Sequence, residues 1–315
     1  MTVICHIFAK EKLFDLLPIR NEKFLNFCKK VQQSYLDITY HNKTHATDLA
    51  QTFYFLSTEC ELMKKCQLDS WDMLSYILAG ACHDISHPGY NNIYLIEKKD
   101  AIAIRYNDQS VLENFHVATT FEILSNDNYN IFVDLSTDHY KRVRKQMIGA
   151  ILATDMPLHF SKMGILKGKL ENEDLDPTEY EEKKFICEQI FHLCDISNVS
   201  KPFDLCEKWT NLLFVEFFKQ GDSEKLLNHN VSQFMDRTTT NIAGSQIGFI
   251  NFIIQPSFGL VRKFLPKSQV YIDQIELNKI HWESKIPEYA VKMAEQVKFW
   301  EDQQKRISKT SEIEA

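Results

Sequence analysis

Ser70-Trp71-Asp72-Met73-Leu74-Ser75-Tyr76-Ile77-Leu78-Ala79-Gly80-Ala81-Cys82-His83-Asp84-Ile85-Ser86-His87-Pro88-Gly89 is the stretch that decides the fold. Ser70 can cap a helix running to Cys82, and Pro88-Gly89 breaks the pattern. Adjacent residues inside a helix point about 100° apart. His83 and Asp84 can therefore reach one metal ion together only where that helix ends, which is where this sequence puts them. A second cluster, Tyr40-His41-Asn42-Lys43-Thr44-His45, lies upstream. Downstream, His192-Leu193-Cys194-Asp195 supplies a further acid beside a histidine.

The rest of the chain reads as helix too. Its 315 residues hold 44% hydrophobic residues and 22 phenylalanines, enough for a sizeable core, but only nine glycines and eight prolines. So little turn punctuation predicts long helices and few hairpins. Helical periodicity covers 48–65, with Leu49, Phe53, Leu56 and Cys60 on one face. Ser110-Val111-Leu112-Glu113 reads as a capping box opening a helix to Leu124, and Thr178-Glu179-Tyr180-Glu181 as another after an acidic loop at 172–177. Further helices are expected over 138–153, from Pro202 to an end at Gly221, over 236–254 and over 282–307, with a frayed tail at 308–315. No strand alternation and no linker interrupts the series, which predicts one all-α domain over residues 1–315. It divides into a helical lead-in (1–35), a middle carrying the chemistry (36–256) and a C-terminal helical part (257–307).

A net charge of −7 argues against a nucleic-acid surface, yet admits a small anionic ligand where bound cations dominate the local field. Eight scattered cysteines without a CxxC pair read as reduced thiols, and the start Met1-Thr2-Val3-Ile4-Cys5-His6 lacks a signal-peptide pattern. The apolar run 247–254 is too short to span a bilayer. An intracellular, cytoplasmic location without a membrane segment in this chain is the expectation.

His41 and His45 are spaced to share a helical face, but a bare HxxxH pair is common and by itself reads more readily as two partly exposed or hydrogen-bonded histidines than as metal ligands. Joined to His83, Asp84 and Asp195, it becomes a set of imidazoles and carboxylates suited to zinc or a similar metal. If Asp84 bridges, a harder ion such as Mg²⁺ could sit roughly 3.5–4 Å away. Gln246 and Phe249 share one helix, so an amide and a ring present together; Trp209, Leu213 and Glu216 share a face of another. By themselves Phe249, Leu213 and Trp209 read as ordinary core, and the capping box accounts for Glu113. His192 reads as structural.

Several of these motifs together resemble a known family. Tyr40-His41-Asn42-x-x-His45-Ala46-x-Asp48-x-x-Gln51, His83-Asp84-x-x-His87-Pro88-Gly89-x-x-Asn92, the 106–114 and 153–156 segments, Asp195-Ile196-Ser197-Asn198, Glu216-Phe217-Phe218-x-Gln220-Gly221-Asp222 and Ser245-Gln246-Ile247-Gly248-Phe249-Ile250 are similar to the signatures of class I cyclic nucleotide phosphodiesterase catalytic domains. The texture is nearest the calmodulin-dependent and cAMP-specific branches. The resemblance implies an HD-type, all-α metal-dependent phosphohydrolase acting on 3′,5′-cyclic nucleotides.

It further implies that His45, His83, Asp84 and Asp195 bind a first metal, usually zinc. Asp84 would also reach a second, Mg²⁺ or Mn²⁺, whose waters are held by groups such as His87, Glu113, His116 and Thr154. His41 would be the general acid, oriented by Glu216, and the attacking hydroxide would bridge the metals. Gln246, Phe249 and Leu213 would grip the base, with Asn198 and Tyr40 beside them.

Three positions depart from the family pattern. Phe115 replaces the first of two histidines, with His116 keeping the second, and Val199 stands where proline is common. Asn198 resembles the cAMP-specific branch, whereas Cys206 replaces a tyrosine that helps fix the glutamine there. The expectation is cAMP hydrolysis with some cGMP hydrolysis. A catalytically inactive cyclic-nucleotide sensor or another HD-type nucleotide phosphohydrolase are the alternatives. Regulatory domains are not readable, and a homodimer is compatible with the sequence.

Overall fold

The helix Ser70–Cys82 forms as expected, but Asp69 caps it rather than Ser70. The Asp69 carboxylate accepts the Trp71 and Asp72 amides at 2.9 and 3.0 Å, and Asp72 returns the favour by accepting the Asp69 amide at 3.0 Å. This reciprocal box satisfies donors that a helix start leaves open. Arg142 adds a two-pronged ion pair onto Asp69 and reaches the fully buried Asp72 at 2.7 Å.

In this computed structural model, which describes the backbone of residues 2–313 and side chains through residue 302, every regular element is helical. The lead-in comprises α1 (Thr2–Lys10), α2 (Leu13–Leu16) and α3 (Asn21–Ser34). Next come α4 (Lys43–Thr58), α5 (Leu62–Lys65), α6 (Ser70–Cys82), α7 (Asn92–Glu97), α8 (Ala101–Arg105) and α9 (Val111–Leu124). Beyond them are α10 (Thr137–Leu152), α11 (His159–Glu171), α12 (Tyr180–Asp195) and α13 (Phe203–Leu226). The chain ends with α14 (Ile242–Phe249), a π-helical stretch at Ile250–Ile254, α15 (Gln255–Phe264) and α16 (Gln269–Ile313). One apolar core runs from Ile4 to Tyr289, joining lead-in and C-terminal helices to the middle of the chain.

Gly80 sets the pairing that matters most. A Cβ there would lie 2.9 Å from the Cβ of Ala50 and 3.0 Å from its Cα, so α6 approaches α4 closely only because residue 80 has no side chain. That approach brings His45, five residues before Ala50, beside His83, three residues after Gly80. α10 packs on the other side of α6.

Several local expectations are corrected. The 48–65 helix is two, because Glu61 turns left-handed (φ 65°) between α4 and α5. Ser110 is not a cap: its φ is 41° and its hydroxyl donates to Asp155 at 2.7 Å, leaving Glu113 free of capping. Thr178 does not cap either; its hydroxyl goes to Asp176, and Glu179 caps α12. α13 continues through Gly221 to Leu226. The glycine serves a close approach instead, since a Cβ would fall 1.9 Å from the Met235 carbonyl oxygen. The 236–254 helix begins only at Ile242, capped by Asn241. α16 is longer than expected and passes through Pro287, which is exposed, so the backbone acceptor it leaves unbonded meets water. The tail expected to fray at 308–315 falls on the end of this helix, and residues 314 and 315 lie outside the described residues.

Candidate active site

Four helix ends and starts supply the polar centre. His45 comes from the first turn of α4, His83 caps the C-terminus of α6, Asp84 follows it, and Asp195 ends α12. Their ligand-type atoms converge within 4.8 Å of one another. His45 Nε2 lies 2.8 Å from Asp195 Oδ1 and 3.4 Å from Asp84 Oδ2; His83 Nε2 lies 3.1 and 3.0 Å from the same two oxygens. The two Nε2 atoms are 3.3 Å apart. His83 Nδ1 donates to the Gly80 carbonyl at 3.0 Å, which fixes its tautomer and turns Nε2 toward the acids.

These residues fit a metal ion. Atoms bound at about 2.0–2.2 Å to one ion stand roughly 2.8–3.6 Å apart, from octahedral to tetrahedral edges. Asp84 Oδ2 is buried without a hydrogen-bond partner, and so is His116 Nε2, which points at Asp84 Oδ1 from 3.8 Å. Orphaned polar atoms at this depth are costly unless something cationic meets them. Asp84, His87 and His116 form a second ion-sized cluster that shares Asp84 with the first. Burial disfavours a charged His83, but Asp84 and Asp195 outweigh it and hold the imidazole well above its ordinary pKa. Burial likewise opposes ionisation of Asp195 and Asp84, and His83 beside them pulls both below the usual carboxylate range.

His41 is not on α4, contrary to the shared-face expectation. It sits in the turn before the Asn42 cap, which accepts the Thr44 amide at 2.8 Å. That turn is held by Glu216 on α13. Glu216 Oε1 accepts the backbone N–H of Tyr40 at 2.5 Å and of His41 at 3.1 Å, and Oε2 meets His41 Nδ1 at 2.6 Å. Burial favours a neutral His41, yet the Glu216 hydrogen bond and the charges of Asp84, Glu216 and Asp195 raise its pKa. His87 stacks on the His41 ring, centroids 4.0 Å apart and 14° from parallel. His87 Nδ1 accepts the Gly89 amide at 3.0 Å, and burial together with the neighbouring His41 charge keeps His87 well below its ordinary pKa. A protonated His41 beside a neutral His87 is the consistent pairing.

Glu113 and Thr154 lie outside the ion-sized clusters found among the described residues. Glu113 Oε2 accepts from Asn92 Nδ2 at 3.0 Å, while Asn92 Oδ1 accepts the Leu112 amide at 2.9 Å. Burial and then Asp155 raise the Glu113 carboxyl to about 7. Thr154 donates to the Ile151 carbonyl at 2.8 Å. His116 Nδ1 bonds the Ile85 carbonyl at 2.7 Å, and burial lowers its pKa to about 4. His192 pairs with His159 at 2.9 Å, away from the ion-sized clusters.

At the site expected to grip a base, Gln246 on α14 is buried, and its Oε1 accepts from the Thr210 hydroxyl of α13 at 3.2 Å. Phe249, Leu213 and Trp209 are half-buried, more exposed than core residues. Trp209 lies 6.1 Å from the His45 ring and 5.6 Å from Tyr40, centroid to centroid. Tyr40 in turn packs 4.6 Å from His45. Asn198, buried, sits in the short turn Ser197–Ser200 that leads into α13.

Sequence reading missed Thr210 and Tyr35. The Tyr35 hydroxyl donates to the Ala81 carbonyl at 3.0 Å and accepts the Asp84 amide at 3.4 Å, holding the break where α6 ends. Nothing in the sequence ties Tyr35 to a site 49 residues away.

The family profile described as 3′5′-cyclic nucleotide phosphodiesterase matches residues 40–275. The chain belongs to this family. Among curated relatives it is 33% identical over 296 residues to the probable 3′,5′-cyclic-AMP phosphodiesterase pde-4 of Caenorhabditis elegans, covering 91% of this chain and 44% of that protein. It is 38% identical over 272 residues to the high affinity cGMP-specific 3′,5′-cyclic phosphodiesterase 9A of Homo sapiens, covering 86% and 44%. The chain thus spans less than half the length of these two phosphodiesterases. Its fold matches the phosphodiesterase domain of the RhoPDE fusion protein from Salpingoeca rosetta with a TM-score of 0.85 at 28% identity, covering 92% of this chain and 91% of that one. No helix among the described residues is long and apolar enough to cross a membrane.

Proposed function

We propose that this phosphodiesterase-family chain hydrolyses 3′,5′-cyclic nucleotides to nucleoside 5′-monophosphates, with residues 1–315 acting as one catalytic unit. The observation that carries the reading is the 2.6 Å His41–Glu216 pair set beside two ion-sized clusters that share Asp84.

His45, His83, Asp84 and Asp195 would hold zinc, and Asp84 with His87 and His116 would serve a second ion, Mg²⁺ or Mn²⁺. When bound, two such cations neutralise a cyclic phosphate and acidify water. The chain's own contribution is the proton. Attack on phosphorus by hydroxide, left when water gives up a proton to solvent, forms a new P–O bond and breaks the P–O3′ bond, whose electron pair stays on the 3′-oxygen, and His41 Nε2–H supplies the proton to that oxygen. Glu216 holds Nδ1, so only Nε2 faces the substrate, and it stabilises the imidazolium until transfer. Neutral His87 against the ring adds no competing charge.

For the base, Phe249 and Leu213 would clamp a purine whose edge meets Gln246, with Asn198 and Tyr40 bounding the pocket. A hydroxyl both donates and accepts, so Thr210 can partner either amide orientation, and the pocket suits adenine and guanine alike. Relatives named for cAMP, for cGMP and for both substrates fall at similar identity. We expect cAMP to be preferred and cGMP also cleaved; kcat/KM favouring cGMP by more than about tenfold, about 1.4 kcal/mol, overturns that preference.

The test is 5′-AMP formation from cAMP with Mg²⁺, using EDTA-stripped protein as control. Turnover that disappears on stripping and returns with metal supports the reading. Folded, metal-replete protein that binds cAMP without turnover establishes the sensor alternative instead.

A further inference from the structure

Helix α13 carries a polar stripe through the interior. Glu216, Gln220 and Glu224 fall at i, i+4 and i+8, and they are 5%, 1% and 1% exposed. Glu216 grips the turn that bears His41. One turn on, Gln220 grips a different loop, the one that follows the metal-ligand pair. Its Oε1 accepts the Asn91 amide at 2.9 Å and its Nε2 donates to Asn91 Oδ1 at 2.9 Å, so a single side chain makes a two-point clamp on residue 91. Glu224 stands behind it, accepting from Gln220 Nε2 at 2.7 Å and from both the backbone N–H and hydroxyl of Ser232 at 2.7 Å.

The clamped loop, residues 87–92, is not incidental to the chemistry. It contains His87, which stacks on His41, and Gly89, whose positive φ of 80° makes the turn and whose amide fixes the His87 tautomer. It ends at Asn92, which orients Glu113. Asn91 itself caps α7 by accepting the Tyr94 amide. Two left-handed residues, Ser86 and Gly89, leave this loop without regular hydrogen bonding of its own, so an external tether has something to hold.

We propose that Gln220 is a positioning residue: by clamping Asn91 to the helix that carries Glu216, it sets the register between His41 and the His87–Glu113 side of the site. Both halves of the site are thereby indexed to one rigid helix one turn apart, instead of to two independently mobile loops. The inference rests on the reading of His41 as the proton donor. Glu224 fixes the rotamer of the clamp, because an amide with all its hydrogen-bonding atoms engaged cannot rotate without stranding a buried group.

Gln220→Leu, which keeps the bulk and removes the clamp, tests this in the metal-loaded protein with cAMP. Expected are a fall in kcat of about ten- to a hundredfold with KM for the nucleotide near wild type, the mark of misplaced reacting groups and not of lost binding. In the metal-free protein, amide exchange should quicken over 86–92 and stay slow in the cores of α4 and α6. Should Gln220→Leu fail to fold, Asn91→Ser replaces it: serine keeps a capping oxygen for Tyr94 but withdraws the acceptor from Gln220 Nε2, leaving only the residue-91 amide on Oε1, so the same changes are expected at smaller size. A folded variant with normal kcat and unchanged exchange over 86–92 overturns the inference. Wild-type protein that fails to turn over cyclic nucleotides with metal overturns the functional reading instead, and the exchange measurement still decides whether the clamp exists.

Discussion

His45 Nε2 and His83 Nε2 lie 3.3 Å apart, too close for both nitrogens to carry protons toward each other. With Asp84 and Asp195 completing the square, the pair predicts that tightly held zinc copurifies with the protein. Asp195→Ala should lose that metal and activity together, read by elemental analysis and 5′-AMP formation. Full metal retention by Asp195→Ala would remove Asp195 from the ligand set.

His41 is predicted to separate from the ligands in the same assays. His41→Ala should keep its metal while kcat drops by about 10²–10⁴-fold. Near-normal kcat in that variant would exclude it as the proton donor.

Glu216 sets the pH at which His41 remains charged. Burial lowers the His41 pKa, and the Glu216 hydrogen bond together with the charges of Asp84, Glu216 and Asp195 more than compensates, so the acid form persists above the ordinary histidine range. The active form is the protonated one, so rate is lost as pH rises through this raised pKa. Glu216→Gln removes the raising influence and should move the alkaline limb of kcat to lower pH. An alkaline limb that stays in place would mean another group titrates there.

Part of the candidate site was legible because histidines and carboxylates at a helix end are visible locally. His83-Asp84 at a helix end needs only the chain's own periodicity to be placed, whereas the HxxxH spacing put His41 on a shared helical face and the chain holds it in the turn before α4. What stayed hidden depends on partners far away in sequence: Thr210 meets Gln246 across 36 residues, Gln220 meets Asn91 across 129, and Ser110 gives its hydroxyl to Asp155 across 45. Ser110 shows the difficulty well, since a serine three residues before a glutamate looks like a cap until a distant acceptor claims the hydroxyl. Gly221 is the parallel case for helix ends: glycine that stops a helix and glycine that admits a neighbour's carbonyl look the same in sequence.

Gly80 is the position where a normally favourable substitution should fail. Glycine to alanine in a helix interior ordinarily stabilises by up to about 1 kcal/mol. Here the new methyl meets Ala50 backbone at 3.0 Å, so α4 and α6 must part. Gly80→Ala should therefore destabilise by about 1–3 kcal/mol in denaturant titration, and weaken metal retention as well. A stabilised variant would show that the two helices yield without cost.

Asp69 should give the fold an acid-sensitive share of its stability. Burial raises its carboxyl, but Arg142 and the amides of Asp72 and Trp71 more than offset that, and the folded carboxyl lies below the usual aspartate range. A depressed folded pKa means stability that is full above the unfolded pKa and lost as pH falls through the folded one. Stability should thus decline below about pH 4, and Asp69→Asn should flatten that part of the profile while lowering the plateau. An unchanged acid slope in Asp69→Asn would contradict this.

Trp209 gives the molecule an optical gauge of its own. Its indole stands 6.1 Å from the His45 ring, on the helix that also carries Glu216 and Gln220. A quenching ion such as Co²⁺ seated between His45 and His83 would dim that emission in proportion to occupancy. Filling of the site could then be followed in real time, without substrate and without turnover.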